Sequence, residues 1–137
     1  MMKPIRLMVC VCWVVAVIFP AAVLAAGADI LPFPVSLGGQ KAVVEKPDAV
    51  FAKIAQPVAA NAELAVETKE NMIIVNIFDS DANGNAKQGV QPLVVIMQGT
   101  KKSPINKTMD GKSPAPGYHI MNIVAGGATA RVFFSVK

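Results

Sequence analysis

Two short stretches of this chain hold side chains that could do chemistry. The first is Asp79-Ser80-Asp81-Ala82-Asn83-Gly84-Asn85. Oxygen-bearing side chains at alternate positions, followed by a glycine, form the opening half of a calcium loop, whose first, third and fifth residues converge on one ion. Asp79, Asp81 and Asn83 would be those ligands, with Gly84 at the sharp bend. The twelfth position, where such a loop carries a bidentate Glu, is Val90, and the flanks read as strands. A complete helix-loop-helix calcium hand is therefore excluded. Two readings stay open: a weaker Ca²⁺ site of extracellular type, or a plain strand-to-strand turn. In the second, Asn83-Gly84 takes positive φ and the two aspartates cap the turn.

The second stretch is Gly117-Tyr118-His119-Ile120-Met121. His119 is the only histidine of the chain. On a strand, residues two apart share a face, so His119 and Met121 point the same way. Imidazole and thioether together suit Cu(I). Met72, Met97 and Met109 are further sulfur donors. The plainer reading is a packed histidine beside methionines that fill gaps in a core. Tyr118 would then be a corner tyrosine, its ring inside and its hydroxyl bonded to a nearby loop.

Catalysis has little to build on. There is no Gly-x-Ser-x-Gly elbow, and any triad would have to use His119. Gly38-Gly39 and Gly126-Gly127 lack the residues of a phosphate loop. No enzyme activity and no organic cofactor are expected.

The elements that must position these stretches begin after a leader. Lys3 and Arg6 precede an uncharged apolar run from Leu7 to Phe19; Pro20 breaks it, and small residues follow to Ala26. That is the layout of a cleavable secretory signal peptide over residues 1–26, favoured over a membrane anchor because the apolar run is interrupted before it reaches spanning length. A periplasmic or secreted protein is expected, with no stable membrane span once the signal is cut. Removing 26 of 137 residues leaves 111, enough for one modest domain. Both cysteines, Cys10 and Cys12, leave with the leader, so thiol chemistry and disulfides are excluded from the mature part. Two of the 13 basic residues leave as well; 11 then face 9 acidic ones, a net charge of +2. No basic stripe interleaved with aromatics is present, so nucleic acid is not an expected partner.

Residues 27–60 read as an extended, proline- and alanine-rich arm or a first edge strand. Val50, Phe51 and Ile54 share a helical face after Pro47, which suggests a short helix over 48–56; the alternative is a strand interrupted by proline. From residue 61 the period becomes two. Strands are expected at 62–67, 71–78, 93–97, 118–124 and 129–136, with one near 105–109. Leu93 to Met97, apolar throughout, reads as a buried central strand, and Gly126-Gly127 as a tight hairpin. Short strands at such spacing predict an all-β fold, an antiparallel sandwich or small barrel over 61–137, of which the sandwich is the one expected.

The run Val75-Asn-Ile-Phe-Asp79-Ser-Asp-Ala-Asn83-Gly84-Asn85-Ala-Lys-Gln-Gly89-Val90 resembles the strand-turn-strand core of bacterial immunoglobulin-like modules of the invasin type. The C-terminal stretch from Pro116 through Gly126-Gly127 to Phe134 is similar to their final hairpin. The resemblance implies an immunoglobulin-like sandwich used for structure or adhesion, without an active site. Pro116 to Met121 is also similar to a segment of periplasmic copper chaperones of cupredoxin-like fold, although the upstream histidine of their ligand set has no counterpart here. The function expected is a non-catalytic binding or structural module of the cell envelope, with a protein partner. The alternatives are a Cu(I) carrier using His119 and methionines, or a Ca²⁺-stabilised adhesion module.

Overall fold

The structure is a computed structural model that describes residues 30–137. The leader expected over 1–26 lies outside the described residues. Nine strands follow in chain order: β1 (Val35–Leu37), β2 (Gln40–Lys41), β3 (Ala52–Lys53), β4 (Glu63–Val66), β5 (Met72–Asp79), β6 (Leu93–Gln98), β7 (Lys102–Pro104), β8 (Gly117–Ala125) and β9 (Ala128–Val136). No helix occurs among the described residues.

The strands form two sheets, ordered β2-β1-β4-β7 and β3-β9-β8-β5-β6. Every pairing is antiparallel except the short parallel contact of β3 with β9. The two sheets pack face to face as a β-sandwich. The alternation of side chains builds the core between the layers. Ile73, Val75 and Ile77 of β5, Met121 and Ile123 of β8, and Val132 and Phe134 of β9 face Leu37, Leu64 and Val66 of the other sheet; all are buried.

Three expectations are corrected here. Residues 48–56 are not helical. A helical face would have needed Val50 inside, yet Val50 is 66% exposed, while Ala52 and Ile54, two apart, are buried. The backbone follows the strand period instead: Lys53 exchanges hydrogen bonds with Val43, and Ile54 N–H donates to the Phe133 carbonyl. Second, the stretch before residue 61 is not a separate arm where it is described. It supplies β1 and β2 to one sheet and β3 to the other, and places Phe33, Val35, Leu37, Ile54 and Val58 in the core. Third, β6 is not central but the edge of its sheet. Its continuous apolar run has another cause, given below. The strand expected near 105–109 lies slightly earlier, at β7.

Candidate functional site: the Asp79–His119 pair and the outer sheet face

The loop after β5 closes on itself. Asp81 Oδ1 accepts hydrogen bonds from the backbone N–H groups of Asn83 (2.9 Å) and Asn85 (3.0 Å), and Oδ2 accepts one from Asn85 Nδ2 (3.2 Å). The Asn85 backbone N–H is the main cause that holds the Asp81 carboxyl below its ordinary value of 3.8. These are the bonds of an aspartate-capped turn. The side chains of the three residues singled out for calcium go different ways. Asp81 serves the turn, Asn83 lines a surface depression with Glu45, Asp48 and Lys53, and Asp79 turns back toward β8. Among the described residues, no three His, Cys, Asp or Glu side chains converge as a metal cluster.

Gly84 holds φ +84°, and a Cβ there would come within 2.3 Å of Phe51 Cε2. Phe51 in turn stacks on Phe133 at 5.2 Å between ring centroids. The loop is thus pinned through an aromatic ring to the outside of the five-stranded sheet.

Asp79 ends β5 directly opposite His119 of β8. His119 is 2% exposed, and its ring stacks on Phe134 at 5.4 Å. Nε2 lies 2.6 Å from the Ala115 carbonyl oxygen, so the N–H there donates to Ala115. Nδ1 lies 3.2 Å from Asp79 Oδ1 but has no aligned hydrogen-bond partner. Asp79 is 42% exposed and looks into a cleft of about 400 Å³ walled by Ile77, Leu93, Asp110, Lys112 and Ala115. His119 and Met121 do share the inner face, as their spacing required, and Met97 is buried with them; Met72 and Met109 are exposed. The five residues singled out for metals are therefore regrouped: one from each stretch, Asp79 and His119, now form a pair.

Because His119 points inward, Tyr118 must point outward. It is not a corner tyrosine: it is 47% exposed, and its ring stacks on Phe133 at 5.7 Å on the outer face. That outer face carries little charge. Among the outward positions of β5, β6, β8 and β9 only Arg131 is charged. Ile74 sits between Ile96 and Val124 in register, and Asn76 beside Val94. Met72, Ile74 and Ile96 are exposed. This explains the apolar run of β6: Val95 and Met97 face the core, Val94 and Ile96 the outer patch. The signal was legible in β5 and β6, which are apolar at both parities of the strand, a pattern that requires both faces to be covered or one to be sticky.

Comparison with known proteins found no matching family model, no matching curated protein and no matching solved structure.

Proposed function

We propose that this chain is an exported, non-catalytic binding module of the cell envelope that holds a protein partner on the outer face of β5, β6 and β8. Export is inferred from the leader. The observation that carries the reading is the Met72–Ile74–Ile96 patch. Apolar side chains from neighbouring strands lie together in water, flanked by Val94 and Val124. Contiguous exposed apolar surface on a sheet is costly to solubility and marks interaction sites. Arg131, on the same face, suits a partner that sets an acidic residue beside its own apolar contact.

The test is site-specific photocrosslinking in the producing cell. A photoreactive residue at Ile96 should give a discrete adduct that Ile74→Arg abolishes. The same probe at Ser36, on the other sheet, should give none. Equal adducts from both sheets, or none from Ile96, would overturn the reading.

A further inference from the structure

We infer, resting on the outer-face reading above, that the partner enters as a strand: an extended segment with acidic flanks pairs its backbone with the free edge of β6 at Ile96–Gln98. Among the described residues, β6 has β5 on one side and no strand on the other. Gly99 N–H donates to the Asn71 carbonyl, so odd-numbered positions turn their backbone groups toward the β5 side. The Val94 carbonyl instead accepts from the Met109 N–H, in the loop after β7. Even-numbered residues of β6 therefore turn to the open side. Ile96 and Gln98 share that parity, and no backbone group of the described residues bonds to theirs there. Sheet edges are normally blunted by charge, proline or a bulge. The sequence of β6, Leu-Val-Val-Ile-Met-Gln, has no charge or proline, and its register against β5 is unbroken. Met109 covers the Val94 end and leaves Ile96–Gln98 bare. Open donors and acceptors on an edge are what an extended peptide pairs with, its alternate side chains continuing the faces of the sheet. Its outward residues would lie beside Ile96 and enlarge the contact with the Met72–Ile74–Ile96 patch.

Charge selects the occupant. Lys101 and Lys102 follow the bare stretch at one end; Lys107 and Lys112 flank Met109 at the other. Lys102, Lys107 and Lys112 are exposed. The acids among them are Asp110 and Glu70, whose backbone carbonyl accepts from Lys101 Nζ. Two copies of this chain paired edge to edge about a two-fold axis would run antiparallel. That pairing sets Lys101 and Lys102 of each copy against the Lys107–Lys112 loop of the other, like charge to like. A segment with apolar alternate residues and carboxylates at its ends meets the same lysines with the opposite sign.

The test uses the photoreactive residue at Ile96 in the producing cell. Gln98→Pro removes one edge N–H, a change tolerated where that N–H faces outward, and touches no side chain of the patch. It should abolish the Ile96 adduct in a protein that still melts cooperatively. Gln98→Ala, which keeps the N–H, should leave the adduct in place. Lys102→Glu together with Lys107→Glu should reduce it. In the purified adduct, hydrogen exchange of the amides at positions 96 and 98 should slow by about tenfold or more against the free protein. That reading keeps Gln98 and stands even if Gln98→Pro fails to fold. An adduct that persists in folded Gln98→Pro, or unslowed exchange at 96 and 98, would overturn strand pairing and leave the outer-face reading intact. No adduct in the parent protein would overturn both. An adduct of twice the mass of this chain, or one indifferent to the two Lys→Glu changes, would overturn the acidic partner.

Discussion

Phe51 lies directly against Gly84, with no room for a methyl group between them. This contact joins a loop near the start of the described chain to the turn after β5. It also explains why that turn needs glycine twice over, for its positive φ and for the closeness of the ring.

Gly84→Ala is therefore expected to destabilise the fold by about 1–3 kcal/mol through backbone strain alone, and further through displacement of Phe51. Gly39 has a similar φ of +81° but open space where a Cβ would stand. Gly39→Ala should show only the strain. Urea denaturation of both variants gives the Phe51 contribution as the difference; equal losses would mean that the ring simply moves aside.

Leu37 should behave as a core residue although it precedes the stretch that reads as a sandwich. Leu37→Ala and Leu64→Ala both empty fully buried sites in paired strands. Each is expected to cost about 2–5 kcal/mol. A loss under about 1 kcal/mol at Leu37 alone would mean that β1 is dispensable.

Asp81 ties the turn to acid stability. Its carboxyl is held below 3.8 in the folded protein, chiefly by the Asn85 backbone N–H. A carboxyl with a depressed folded value binds its proton more readily when unfolded. It contributes stability above pH 3.8 that fades as pH falls through the folded value. Asp81→Asn should lower the melting temperature at pH 7 and flatten its fall between pH 4 and 2. An unchanged slope there would assign the acid sensitivity to other groups.

On the outer face, Ile74→Arg and Ile96→Asp should leave stability within about 0.5 kcal/mol, since both side chains are exposed. Both should nevertheless raise solubility, and Ile74→Arg should remove the partner adduct formed from Ile96. Unfolding by either change would show that the patch is structural.

How much of this was legible beforehand follows from element length. β5, β8 and β9 span eight or nine residues rich in β-branched and aromatic side chains between turn signals, so composition and length located them within one residue. β2 and β3 have two residues each, too few to show a period, and their place is set by partners far along the chain. The helix expected at 48–56 came from that shortness: three apolar residues fit a helical face by chance, while the bonds to Val43 and Phe133 decide the backbone. For the candidate site, the residue types at Asp79 and His119 were visible, but their pairing was not. It depends on the register of β5 against β8, which joins positions forty residues apart.

The central structural claim is that residues 30–60 close both layers and fold with the rest as one unit. Native-state hydrogen exchange tests it directly. The amides of Val43, Lys53, Ile54 and Val58 each donate to a backbone carbonyl within this fold. They should exchange with the same free energy and denaturant dependence as those of β8 and β9. Rapid exchange of these four amides while β8 and β9 stay protected would contradict it.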